Sequence, residues 1–152
     1  MYDVVVIGSG MAGISVASEL SQDLSVCVVE KEKLISYHST GRSMAFYIES
    51  YGNEIVRKLT TASKNFFNSF EDQQSKRKLL NKRGVLHIGN KAQIQIINNL
   101  YNNLCKINNN FDLLNKSQTL NLLPCLKDEY VESSVYDYEA SEIDINLMYD
   151  IY

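Results

Sequence analysis

Apolar positions in the first thirty residues alternate between two kinds of spacing. Residues 2–7 (YDVVVI) form a short β-branched run that closes on a glycine, the pattern of a strand buried on both faces. Residues 9–20 follow with Met11, Ala12, Ile14, Ala17 and Leu20, a small and apolar set that predicts a helix packed closely on that strand. After a turn at 21–23, residues 24–30 (LSVCVVE) read as a second buried strand. Strand, helix and strand make a βαβ unit, whose strands run parallel through a right-handed crossover.

Residues 31–52 have no clear periodicity and are rich in Ser, Thr, Tyr and Gly. Loops this long in compact domains are usually functional. Asn53 has the character of an N-cap, and Ile55, Val56, Leu59, Ala62, Phe66, Phe67 and Phe70 recur at helical spacing. That repeat predicts a core stripe rather than an aromatic binding box. Residues 71–83 are charged and include Lys76, Arg77, Lys78, Lys82 and Arg83. In a chain of net negative charge they read as a solvated loop rather than a phosphate or nucleic-acid patch. Residues 84–89 (GVLHIG) predict a strand, with His87 packed or facing an edge. A helix is expected over 93–107, an Asn-rich turn at 108–110, and a short helix at 117–123 stopped by Pro124. Residues 131–138 predict a strand, and 143–152 an amphipathic helix entered through Glu142 and Asp144. There is no internal repeat.

A length of 152 residues fits one domain, and 45% hydrophobic with 22% charged residues is an ordinary globular mixture. A disordered tail, a collagen-like chain and a membrane bundle are excluded. The formal charge of −3 supplies no field that favours nucleic acid. Cys27, Cys105 and Cys125 form no CxxC pair and only His38 and His87 accompany them, so neither a disulfide framework nor a metal site is expected. Cys27, inside an apolar run, reads as a small buried hydrophobe. Asp3 and the short apolar run at 4–7 do not make a signal peptide. No stretch approaches the ~20 apolar residues of a transmembrane helix. The expectation is a soluble, cytoplasmic protein.

The chemistry concentrates at Gly8-Ser9-Gly10-Met11-Ala12-Gly13, a GxGxxG between predicted strand and predicted helix. Gly8 permits the tight turn, Gly10 lets backbone approach a pyrophosphate, and Gly13 allows close packing of helix on strand. The helix start offers unpaired N–H groups and partial positive charge to phosphates. Glu30 closes the second strand about 20 residues on, where a carboxylate accepts hydrogen bonds from adenosine ribose hydroxyls. Its charge would repel the 2′-phosphate of NADP. The fingerprint alone leaves FAD and NAD both open. The loop YHSTGRSMA at 37–45 is small and hydroxyl-rich with one arginine, which suits either a cofactor-lining loop or a plain surface loop.

These segments together resemble a known family. YDVVVIGSGMAGISVASEL, VVEKE, YHSTGRSMAFY and YGNEIVRKLTTASKNFF are similar to the amino-terminal part of FAD-dependent D-amino acid oxidases and dehydrogenases. The nearest resemblance is to the D-arginine dehydrogenase group. It runs from residue 2 to about residue 67 and returns at 139–147 (EASEIDINL). It implies an α/β fold with a Rossmann-like FAD-binding domain, FAD rather than NAD, and hydride transfer to flavin from a carbon bearing an amine. By the same resemblance Gly8, Gly10, Met11, Ala12 and Gly13 hold the pyrophosphate, and Glu30 and Lys31 flank the adenosine ribose. Ser39, Thr40, Gly41, Arg42, Ser43, Met44, Ala45 and Phe46 line pyrophosphate and flavin. Tyr51 matches a tyrosine on the substrate side, or else is a packing residue ahead of the Asn53 helix. No catalytic base is assigned.

Two departures weigh against arginine as substrate. The arginine-oxidising members have a histidine where this chain has Phe46, and a strand carboxylate where it has Val85. A guanidinium would lose its countercharge there. A small or apolar amine or D-amino acid is the expected partner, with no nucleic acid. The resemblance divides the chain into residues 1–70, the FAD-binding βαβ unit with flavin loop and following helix, and 71–152, the start of a substrate domain with a return toward the first. Family members are longer, so a fragment is expected. A truncated ADP- or FAD-binding module without activity and an NAD-dependent dehydrogenase are the alternatives.

Overall fold

The structure is a computed structural model that describes residues 1–70 and 76–152. In chain order its elements are β1 (Val4–Ile7), α1 (Met11–Leu20), β2 (Val26–Val29), β3 (Phe46–Tyr47), α2 (Glu54–Ala62), α3 (Lys64–Asn68), β4 (Leu80–Lys82) and β5 (Val85–Gly89). They continue with α4 (Ile94–Leu104), β6 (Phe111–Asn115), α5 (Lys116–Leu122), β7 (Ser133–Asp137), β8 (Ser141–Ile143) and α6 (Ile145–Ile151). Two compact units interleave in sequence. The first holds Met1–Ala45, Phe67–Leu80 and Ile143–Tyr152; the second holds Phe46–Phe66 and Asn81–Glu142.

In the first unit β1 and β2 pair in parallel, from Val4 opposite Val26 to Ile7 opposite Val29, with α1 as the crossover. This is the predicted βαβ unit. One expectation fails: the strands are not buried on both faces. Val5 is 56% and Ile7 89% exposed, because alternate strand residues face away from α1. Cys27, expected buried, is only half-buried. The core of this unit is Leu79, Leu147 and Met148, with Met11, Phe67, Phe70 and Ile151 packed against it. Asp144 caps α6 by accepting the Leu147 N–H at 3.0 Å, and Arg77 grips the same carboxylate with two nitrogens.

In the second unit β5, β7 and β6 form an antiparallel sheet in that order, with Val85 and Phe111 both opposite Asp137. Apolar residues of α4 cover it, giving a core of Ile97, Leu104, Phe111 and Val135. A capping box at Asn115 and Gln118 starts α5. The short strand β3 pairs antiparallel with β8, Tyr47 opposite Ser141. Glu49 is buried behind them, where it accepts from Tyr47 Oη at 3.0 Å and pairs with Lys64 at 2.8 Å.

The helix expected after Asn53 is capped as predicted, since the Asn53 side chain accepts the Val56 N–H. It is not one helix, however, and only the far end of its stripe, Phe67 and Phe70, packs against core. The Thr60 and Ser63 hydroxyls bond back to the carbonyls of Val56 and Leu59, a pattern that weakens a helix where α2 gives way to α3. Ile55 and Leu59 remain 70% and 64% exposed. The charged segment is also not simply a solvated loop. Its residues 71–75 lie outside the described residues, but Leu79 is fully buried and Leu80–Lys82 is a strand. Lys82 pairs with Glu139 and Arg83 with Glu142. No helix among the described residues is long and apolar enough to cross a membrane.

Candidate cofactor-binding site

Three glycines occupy the turn from β1 into α1 for different reasons. Gly8 has φ +96°, a left-handed conformation that side chains resist. A Cβ at Gly13 would stand 2.0 Å from the Gly8 carbonyl oxygen, so only glycine lets α1 lie this close to the strand. Gly10 differs. Its φ of −69° suits any residue, and a Cβ there would sit 3.6 Å from Thr40 Oγ1, an ordinary contact. The chain itself does not demand glycine at this position, and its absence of side chain leaves the helix start open.

Helix α1 has no side-chain cap at Gly10. The Ala12 and Gly13 N–H groups have no acceptor among the described residues, and the Met11 N–H donates to Thr40 Oγ1 at 3.2 Å. First-turn amides and the helix macrodipole together favour an anion here. Thr40 is thus the residue of the 37–45 loop that the structure brings to the glycine turn.

The Glu30 carboxylate also reaches this turn. Its Oε2 accepts the Ser9 N–H at 2.8 Å and the Ser9 hydroxyl at 2.7 Å, while Oε1 accepts the Glu32 N–H at 2.9 Å. These donors, the Glu32 N–H foremost, pull its pKa down to about 2. The sequence motif assigns Glu30 to a ribose alone; the structure gives it a role within the chain as well, bracing the turn. It also reveals two residues that the motif did not single out. Ser9, buried at 1% exposure, donates to Glu30 through both its N–H and its hydroxyl, and its carbonyl accepts the Tyr149 hydroxyl at 2.9 Å. The hydroxyl between two fingerprint glycines was a visible signal. Tyr149, 140 residues away in sequence, gave none.

The remaining loop residues are fastened locally. Gly41 N–H donates to the Ser36 carbonyl at 2.8 Å, Arg42 N–H to that of His38 at 3.2 Å, and Ala45 N–H to Ser43 Oγ at 3.0 Å. The Arg42 guanidinium lies 4.8 Å from the centre of the Tyr37 ring. Lys31, Ser39, Gly41, Arg42, Ser43 and Met44 are exposed, and Ala45 is half-buried. Phe46 and Tyr51 belong to the second unit. Phe46 is half-buried in β3; Tyr51, at 68% exposure, is open to solvent rather than packed.

The second unit contains a buried Ser–His–Asp cluster that spacing did not suggest. Ser50 Oγ donates to Asp137 Oδ2 at 2.7 Å and lies 2.9 Å from His87 Nε2. With the hydroxyl proton given to Asp137, His87 Nε2 must be the donor to Ser50. The imidazole is therefore not placed as a base for that hydroxyl, and the trio braces the fold rather than activating a nucleophile. Burial, and secondarily the Arg57 charge, lower the His87 pKa against the opposing pull of Asp137.

A parallel βαβ unit with an uncapped, glycine-lined helix start and an ionised acid beyond the second strand defines a dinucleotide-binding protein. Residues 3–148 match the family model described as FAD dependent oxidoreductase, and the chain belongs to that family. Its cofactor is FAD, which the open amides at Ala12 and Gly13 suit through the diphosphate. The chain is similar to L-alpha-glycerophosphate oxidase from Mycoplasma pneumoniae with FAD bound, at 23% identity and a TM-score of 0.77, covering 98% of this chain and 40% of that one. It is likewise similar to glycine oxidase from Geobacillus kaustophilus, at 15% identity and a TM-score of 0.80, covering 98% and 42%. At such identities the likeness shows the fold. An uncharacterized protein of Methanocaldococcus jannaschii is 42% identical over 65 residues, which are 42% of this chain and 18% of that protein. The chain therefore spans about two-fifths of the length of these solved structures and less of that relative.

Proposed function

We propose that this chain forms the cofactor-binding part of an oxidoreductase that oxidises a D-amino acid or related amine. Bound FAD supplies the hydride acceptor. Gly8, Gly10, Met11, Ala12 and Gly13 hold the diphosphate, and Glu30 and Lys31 flank the adenosine ribose. The 39–45 segment and Phe46 line the diphosphate and flavin, and Tyr51 faces substrate. Residues 1–70 do the cofactor's work, and 71–152 begin a substrate domain and return toward the first. Phe46 and Val85 bring no charge to the positions where the D-arginine dehydrogenase group carries a histidine and a carboxylate, which favours a small or apolar side chain on the substrate.

The observation that carries this reading is the uncapped α1 start at Gly10 beside an ionised Glu30. The test is the visible spectrum of the purified chain, then anaerobic addition of D-amino acids. A flavin band that bleaches with D-alanine or D-proline supports the proposal. A colourless protein that binds ADP points to a nucleotide-binding module without activity, and tight NAD binding without flavin points to a nicotinamide enzyme. The likeness to L-alpha-glycerophosphate oxidase favours a second reading, with an alcohol as hydride donor. Bleaching by glycerol 3-phosphate, with no response to amines, would select it.

A further inference from the structure

The second unit holds a cavity of about 820 Å³ at α2 and the C-terminal end of α4, lined by Arg57, Lys58, Glu54, Thr61, Asn103 and Lys106 among others. Its volume lies within the range of small-molecule sites. The cations in it are unequally engaged. Lys58 is paired with Glu54 at 2.6 Å, and Lys106 Nζ donates to the neutral amide oxygen of Asn103 at 3.2 Å. The Arg57 guanidinium has no acceptor among the described residues, and its Nε is buried with no hydrogen-bond partner. A buried donor left without an acceptor costs about 1–3 kcal/mol, and a guanidinium edge presents two parallel N–H groups spaced for a carboxylate.

We propose that this cavity binds a small organic carboxylate, with Arg57 as the bidentate anchor and Lys106 as the second positive charge. Ala62 and Ile107, which also line the cavity, offer apolar surface to the rest of the molecule. The site uses none of the residues assigned to the cofactor, so it stands or falls apart from the flavin reading. It also has a built-in reporter. The Arg57 charge helps to depress the His87 pKa, whose other charged neighbour is Asp137 and whose hydrogen-bond partner is Ser50. A carboxylate on Arg57 offsets that charge, so His87 titrates at higher pH when the cavity is filled.

The experiment titrates the full chain with hexanoate, using hexanamide as the uncharged probe, and follows the His87 ring and Arg57 Nε–H signals by NMR. Saturable binding of hexanoate, weak or absent binding of hexanamide, and an upward shift of the His87 titration are expected. Arg57→Gln should weaken hexanoate binding about tenfold or more, the scale of a lost charge-assisted pair. Arg57→Lys should restore only part of it. Lys106→Gln, at the cavity's other unneutralised charge, should weaken it less. The proposal fails if hexanamide binds as well as hexanoate or if Arg57→Gln leaves affinity intact. It also fails if Arg57→Lys matches the native chain, since a point charge would then suffice.

Discussion

Gly10→Ser separates what the chain needs from what its cofactor needs, because the two should respond with opposite signs. A Cβ at this position meets only Thr40 Oγ1, at 3.6 Å, and the φ of −69° is open to serine. A serine hydroxyl at an N-cap accepts an N–H of the first turn, worth a few tenths of a kcal/mol over glycine. Removing a glycine from a position with ordinary dihedrals adds about 0.4–1 kcal/mol through the unfolded chain. The apoprotein should thus gain about 1 kcal/mol, or about 2–4 °C in Tm for a domain of this size. The same hydroxyl occupies the approach to α1 and consumes an amide that would otherwise meet phosphate. Losing that bond and a second one that the blocked approach prevents, at about 1.5 kcal/mol each, costs about 3 kcal/mol, or roughly 100-fold in FAD affinity. Thermal unfolding followed by circular dichroism, together with a fluorescence titration of FAD, reads both quantities. A variant that binds FAD as tightly as the parent would show that the diphosphate does not lie on α1. A variant that loses stability without FAD would show that the turn has no room for a side chain at Gly10.

Three further outcomes follow from the hydrogen bonds. Glu30 has its pKa lowered from 4.5 to about 2, so the stability its charge contributes is present above about pH 4.5 and is lost as pH falls towards 2. Glu30→Gln should flatten the acid limb of the stability curve over that interval, and an unchanged limb would remove Glu30 from the turn. Ser50→Ala leaves Asp137 Oδ2 and the His87 Nε2–H without their hydroxyl partner, and at about 1–3 kcal/mol for each buried group it should cost about 2–4 kcal/mol in urea unfolding. Asp144→Ala removes the α6 cap and the partner of Arg77, and should cost about 1–2 kcal/mol in the same assay. A change below 0.5 kcal/mol at Asp144 would mean that α6 does not depend on that cap.

The first forty residues were legible because their constraints are local. A β-branched run, a positive-φ glycine and a close-packed glycine leave few conformations, and β1, α1 and β2 fall where the pattern places them. The second unit was harder. Strands β3, β4, β6 and β8 have two to five residues each, too few for a period of two to register, and they are defined by partners far away in sequence. The stripe from Ile55 to Phe70 misled for a related reason. Helical spacing shows that an apolar face exists but not that anything covers it; Phe67 and Phe70 pack into the Leu79 core, whereas Ile55 and Leu59 face solvent. The Ser50–His87–Asp137 cluster joins positions up to 87 residues apart, so no spacing rule could have assembled it.

The engagement of Glu30 also explains how a carboxylate can stand beside a helix start suited to an anion. An acid in the first turn of α1 would reach back and spend the amides on itself, as capping carboxylates do. Here the acid follows the end of β2, and its donors include the N–H and hydroxyl of Ser9 and the N–H of Glu32, all outside α1. The charge is satisfied before the helix begins, and the Ala12 and Gly13 amides remain unspent. Ser9 makes this division possible, since a fourth glycine in its place would offer one donor to Glu30 instead of two. The hydroxyl between the glycines therefore protects the openness of the helix start as much as Gly10 does. Ser9→Gly should relax Glu30 back towards the ordinary carboxylate range, readable in its side-chain NMR titration, while leaving the turn's glycine geometry available.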